Sequence, residues 1–194
     1  MNLIVNEIFY SLQGEGGRMG EASVFVRLAG CNLRCDFCDT SFESGTKMSL
    51  EEILEKISAY PCRWIIWTGG EPTLQLTDEI ISFFREKSYR QAIESNGTRP
   101  VSPLLDYAVC SPKGNYASVR EMNPSVDEIR LPVRAGDTLP SREELPVASV
   151  YYVSPVFTEN PQETAANIAW CVDYVKCHPL WRLSLQMHKL IGIA

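Results

Sequence analysis

Short apolar runs rich in β-branched residues alternate along this chain with a few segments of helical period, and that alternation limits the fold more than any other feature. Residues 22–29, 63–68, 91–95, 107–110, 126–131, 149–153 and 181–185 read as strands. Residues 49–59 read as a helix: Ser49 and Glu52 stand at capping-box spacing, and Leu50, Ile53, Leu54 and Ile57 fall on one face. Residues 76–87 and 161–176 carry the other helical patterns. Strands alternating with helices predict an α/β fold with a largely parallel sheet. A closed eight-unit barrel takes about 250 residues, more than the 194 available. The expected fold is therefore a single domain, residues 1–194, forming an incomplete TIM-type barrel of about six parallel strands with few helices.

In barrels of this kind the reactive groups gather at the carboxyl ends of the strands. The polar and glycine-rich motifs of this chain fall there. A cysteine-bearing loop follows 22–29, Gly69-Gly70-Glu71-Pro72 follows 63–68, Asn96-Gly97-Thr98 follows 91–95, and Ser111-Pro112-Lys113 follows 107–110. Two adjacent glycines let a backbone approach a ligand closely, and Glu71 beside them offers a carboxylate to a ligand ammonium.

The cysteine loop places Cys31, Cys35 and Cys38 within Gly30-Cys31-Asn32-Leu33-Arg34-Cys35-Asp36-Phe37-Cys38-Asp39-Thr40. Thiolates at this spacing suit three corners of an iron–sulfur cluster and leave one iron open to a substrate or cosubstrate. A structural zinc site would close with a fourth Cys or His, and Cys62, Cys177 and His178 are distant in sequence. A disulfide with a spare thiol is the third reading, and it needs an oxidising compartment. Cys62, Cys110, Cys171 and Cys177 are expected to be small buried hydrophobes.

A formal charge of −6 and eighteen scattered basic residues argue against a nucleic-acid surface. The first residues show no basic segment ahead of an apolar run, and no apolar stretch matches a bilayer span. The expectation is a soluble cytoplasmic protein with neither nucleic-acid nor membrane partners.

The cysteine spacing paired with Gly69-Gly70-Glu71-Pro72 resembles the radical S-adenosylmethionine (SAM) superfamily. That resemblance implies a 4Fe–4S cluster held by Cys31, Cys35 and Cys38, with SAM chelated to its open iron and cleaved to a 5′-deoxyadenosyl radical. It also implies SAM contacts from Phe37, Asp39, Gly70, Glu71, Ser111, Pro112, Lys113 and Ser154, with Phe37 beside the adenine.

The amino-terminal Ile8-Phe9-Tyr10-Ser11-Leu12-Gln13-Gly14-Glu15-Gly16, with Arg27 and Cys38-Asp39-Thr40, is similar to the 7-carboxy-7-deazaguanine synthase family. The family implies a ring contraction of 6-carboxy-5,6,7,8-tetrahydropterin with loss of ammonia. Leu12, Gln13 and Gly14 would read the pterin edge, and Arg27 would pair with its carboxylate through a planar fork. Thr68 and the chain end at Ala194 would also reach the substrate, and Thr40 would ligate Mg2+. His188 and Lys189 are candidate proton donors or acceptors. A flavodoxin or ferredoxin as electron donor and a homodimeric state follow from the family alone. Two other functions fit the cysteine spacing: an activase that makes a glycyl radical on a partner protein, and a metal-stabilised binding module without catalysis.

Overall fold

A computed structural model of the chain describes residues 1–38 and 40–193. Its centre is one nine-stranded sheet in the order β3-β1-β2-β4-β5-β6-β7-β8-β9. The strands are β1 (Asn2–Leu12), β2 (Ala22–Leu28), β3 (Thr46–Ser49), β4 (Trp64–Gly69), β5 (Arg90–Ser95), β6 (Tyr107–Cys110), β7 (Ser125–Val133), β8 (Val147–Pro155) and β9 (Arg182–Leu183). From β2 to β9 every neighbouring pair is parallel. β1 runs antiparallel to both β2 and β3. The sheet keeps two edges, β3 and β9, so it is an open, partial barrel.

Five α-helices accompany the sheet among the described residues: α1 (Leu50–Ser58), α2 (Asp78–Glu86), α3 (Tyr116–Met122), α4 (Pro161–Cys177) and α5 (Met187–Ile191). The capping box forms at α1, where Ser49 Oγ accepts from Glu52 N at 3.2 Å and Glu52 Oε2 accepts from Ser49 N at 2.7 Å. Leu50, Ile53 and Ile57 then bury one face of α1 against the sheet.

Alternation along each strand divides the interior in two. Val24, Val26 and Leu28 of β2 join Ile65 and Trp67 of β4 in the core beneath α1 and α2. Phe25 turns the other way and packs on Ile66 and Ala92, and Arg27 shares that inner side. A second core joins β6, β7 and β8 to α4 through Ile129, Leu131, Val153, Cys171 and Trp181. Two buried polar side chains within the first core pair with each other and with the backbone: Trp67 Nε1 donates to Gln91 Oε1 at 3.0 Å, and Gln91 Nε2 donates to Ile81 O at 2.8 Å.

The structure adds elements the sequence pattern did not reveal. β1 is an eleven-residue strand whose period is broken by a register shift between Val5 and Glu7. The cysteine loop consequently follows the second strand in the chain, not the first. β3, α3 and α5 are short. Cys110 and Cys171 are buried as expected, whereas Cys62 is half-buried and Cys177 exposed. Cys177 ends the seventeen-residue α4, and its side chain falls on the solvent face.

Candidate active site

The carboxyl ends of the parallel strands surround one cavity of about 520 Å3, within the usual range for small-molecule sites. At its mouth are Cys31, Cys35, Cys38, Phe37 and Thr40 of the loop after β2. Gly70, Ser111 and Lys113 form the adjoining rim. Leu12 enters from the end of β1, and Gln13 and Gly14 from the β1–β2 connection, beside Arg27, Thr68 and Ser154. Residues from both ends of the chain thus meet in a single space.

Glu71 lies elsewhere. Its side chain is fully buried beneath the cavity, and both carboxylate oxygens are engaged internally. Oε1 accepts from Thr73 N, Thr73 Oγ1 and Ser95 Oγ at 3.0, 2.7 and 2.9 Å, and Oε2 accepts from Asn96 N at 2.7 Å. These contacts join the ends of β4 and β5, and the Glu71 side chain forms none of the cavity lining. Pro112 is likewise buried and forms none of the cavity wall. Asp39 and Ala194 lie outside the described residues.

Gly70 is where the backbone must come close. A Cβ built there would stand 1.9 Å from Gly30 O, so only glycine lets the β4 loop rest on the start of the cysteine loop. Glu71 N donates to Gly30 O at 2.8 Å and seals that contact.

The cavity floor carries charges the sequence reading passed over. Arg130, on β7, donates from Nε and Nη2 to Glu128 Oε1 at 2.9 and 2.6 Å. Its Nη1 reaches Glu94 Oε2 at 3.0 Å and Glu15 Oε2 at 3.4 Å. Three carboxylates thus surround one guanidinium. Glu128 is fully buried and is further satisfied by Tyr107 OH and Gly17 N, both at 2.9 Å. Glu94 and Glu15 face the cavity.

Burial pushes the Glu94 carboxyl above its ordinary range, and the neighbouring Glu128 and Glu15 add to the shift while Arg130 opposes it. Burial also works against the Arg130 charge, but its three carboxylates outweigh burial and raise its pKa. These residues had a sequence signal. Glu94, Glu128 and Arg130 are charges inside otherwise apolar central strands, which are normally buried on both faces.

Arg27 is partly committed: Nε donates to Glu7 Oε1 at 2.6 Å and Nη1 to Thr40 Oγ1 at 3.3 Å, with the guanidinium over the Phe9 ring. Lys113 Nζ donates to Ser111 Oγ at 2.6 Å and stands over the Phe37 ring. The cavity wall lowers the Lys113 pKa by desolvation.

The carboxyl-terminal segment closes the far side. Met187 N donates to Gly14 O at 2.9 Å, and Gly16 N donates to Ser184 Oγ at 2.9 Å. A Cβ at Gly14 would fall 2.2 Å from His188 Nδ1. His188 and Lys189 both line the cavity, as does Gln186, which reaches Glu15 Oε1 at 3.3 Å.

Known proteins resemble this chain in sequence and fold. The model of the radical SAM superfamily matches residues 25–166. The 7-carboxy-7-deazaguanine synthase of Bacteroides thetaiotaomicron is 44% identical over 190 residues, covering 97% of both chains. The chain belongs to the 7-carboxy-7-deazaguanine synthase family. Another family member, from Neisseria meningitidis, is 39% identical over 196 residues, covering 96% of this chain and 92% of its own. The crystal structure of QueE from Escherichia coli superposes with a TM-score of 0.72 at 25% identity, covering 97% of this chain and 95% of that one.

Family membership makes Cys31, Cys35 and Cys38 the candidate ligands of the superfamily's 4Fe–4S cluster, with SAM beside it. The donor set fits. All three are free thiols on the cavity wall, and soft thiolates are what such clusters select. Among the described residues, no three His, Cys, Asp or Glu side chains are grouped to hold a single metal ion. Among them, too, no helix is long and apolar enough to cross a membrane.

Proposed function

We propose that the protein converts 6-carboxy-5,6,7,8-tetrahydropterin to 7-carboxy-7-deazaguanine with release of ammonia, a carbon–nitrogen lyase reaction of queuosine biosynthesis. One observation supports this beyond family membership. The three cluster thiols and a pocket floor of paired hydrogen-bonding groups share a single cavity. A cluster-stabilised binding module needs no such floor, and a glycyl-radical activase needs an open docking surface for a protein.

When bound, the cluster and SAM supply one-electron cleavage and hydrogen-atom abstraction. The chain's own residues do the rest. The free edge of the Arg27 guanidinium pairs with the substrate carboxylate. Backbone groups of Leu12, Gln13 and Gly14 read the pterin edge, while Glu15 and Glu94 offer acceptors to its N–H groups. Phe37, Gly70, Ser111, Lys113 and Ser154 line the SAM side, and Thr68 contacts substrate. His188 and Lys189 move protons at the opposite wall.

Magnesium binds together with the substrate. Thr40 offers one oxygen, and Arg27 Nη1 stands 3.3 Å from it, so an anionic ligand has to arrive before a cation is balanced there. Mg2+ suits such a site because it keeps several waters and substrate oxygens. The electron comes from a flavodoxin or ferredoxin, and the protein acts as a cytoplasmic homodimer.

Metal analysis of anaerobically purified protein tests the reading. Iron with matching labile sulfide, and turnover of the carboxytetrahydropterin, are expected. Zinc without sulfide would contradict it.

A further inference from the structure

Asn32, between Cys31 and Cys35, sits in a closed circuit of side-chain hydrogen bonds. Asn32 Nδ2 donates to Thr98 Oγ1 at 2.7 Å, Thr98 Oγ1 donates to Asn96 Oδ1 at 2.7 Å, and Asn96 Nδ2 donates back to Asn32 Oδ1 at 3.0 Å. The direction of the circuit is determined. Thr98 N can only donate, and it reaches Asn96 Oδ1 at 2.9 Å. That fixes the Asn96 amide, which fixes Asn32 in turn.

Beneath the circuit lies Glu71, whose Oε2 holds Asn96 N and whose own N–H holds Gly30 O. Gly30 and Asn32 flank Cys31. One buried carboxylate residue therefore steadies the first cluster cysteine on both sides, directly through Gly30 and indirectly through Asn96.

The loop has other tethers, beginning at its base, where Gly30 N donates to Phe42 O at 2.8 Å. Within it, Cys38 N donates to Cys35 O at 3.2 Å. Arg34 pairs with Glu43 at 2.8 Å, the side chains being 71% and 75% exposed. Asp36 pairs with Arg134 at 3.0 Å, with 71% and 39% exposed. Exposed ion pairs contribute little and weaken with salt; the circuit is neutral, so salt does not screen it, and although Asn32 is exposed, its partner Asn96 is buried on the fully buried Glu71.

Resting on the radical SAM reading above, we propose that the Asn32–Thr98–Asn96 circuit, seated on Glu71, is the positioning device that presents the cysteine loop to the SAM side of the cavity. Asn32, Asn96 and Thr98 are positioning residues here.

Thr98→Val tests this, because it removes the hydroxyl from outside the cysteine loop. In cluster-loaded protein the variant should bind SAM about fivefold to tenfold more weakly, the loss of one or two hydrogen bonds at about tenfold per 1.4 kcal/mol. In cofactor-free protein, amide exchange should rise in residues 31–38 and stay unchanged in α4. Thr98→Ser should restore both. A wild type that binds SAM and a Thr98→Val variant that binds it equally well would overturn the proposal. A wild type that binds no SAM would instead sink the functional reading on which it rests.

Discussion

Gln13 Nε2 donates to Glu94 Oε1 across 2.8 Å, joining the β1–β2 loop to the carboxyl end of β5. Through this bond an antiparallel hairpin added to the edge of the parallel sheet becomes part of the cavity floor. Glu94 in turn leans on Arg130, so the β1–β2 loop, β5 and β7 form one connected unit.

Removing the centre of that unit should be costly. Arg130→Leu leaves Glu128 buried with a charge that has lost its partner, and breaking such a pair typically costs about 3–5 kcal/mol. Urea unfolding of the cofactor-free protein is the measurement. A loss below about 1 kcal/mol would mean that the carboxylates find other partners.

The raised Glu94 carboxyl gives a pH dependence of definite sign. Its folded pKa lies above its unfolded one, so the folded state holds the proton more tightly. Stability from this group therefore grows as pH falls through the folded pKa and is lost as pH rises. Thermal melts of wild type and Glu94→Gln between about pH 7 and pH 5 should show the wild type gaining relative to the variant on acidification. Parallel curves would count against a raised pKa.

Glu71 separates a buried strut from a SAM ligand. Glu71→Gln turns a donor toward groups that are themselves donors, and should lower the stability of cofactor-free protein by about 1–3 kcal/mol. Unchanged stability combined with lost SAM binding would return Glu71 to the ligand role expected from its sequence position.

Gly70→Ala drives a methyl into Gly30 O. Overpacking of this kind costs about 1–3 kcal/mol and here pushes the β4 loop off the cysteine loop. Reconstituted protein should retain less iron and sulfide than wild type. Full iron retention with an unchanged melting temperature would show that the two loops separate freely.

Arg27→Ala should leave cluster assembly intact while raising KM about tenfold or more, the scale of a lost charge-assisted pair. Cys35→Ala should abolish iron loading altogether. Equal effects of the two variants on iron content would remove Arg27 from the substrate side.

Much of this was legible in the sequence because local signals agreed. The parallel strands, the Ser49–Glu52 capping box and the motifs at strand ends all appear where pattern and turn chemistry put them. β1 escaped because a bulge near Asn6 breaks its alternation. The internal contacts of Glu71 were hidden by its neighbours: a carboxylate after two glycines looks available, and only the fold brings Ser95 and Asn96 over it. The Arg130 unit unites residues more than a hundred positions apart, such as Glu15 and Arg130, and no local pattern encodes that meeting.

The most direct measurement is the mass of the product formed when the anaerobically reconstituted protein is given 6-carboxy-5,6,7,8-tetrahydropterin, SAM, Mg2+ and a reductant. A product lighter than the pterin by one ammonia is expected. SAM cleavage with the pterin returned unchanged would contradict the proposed function.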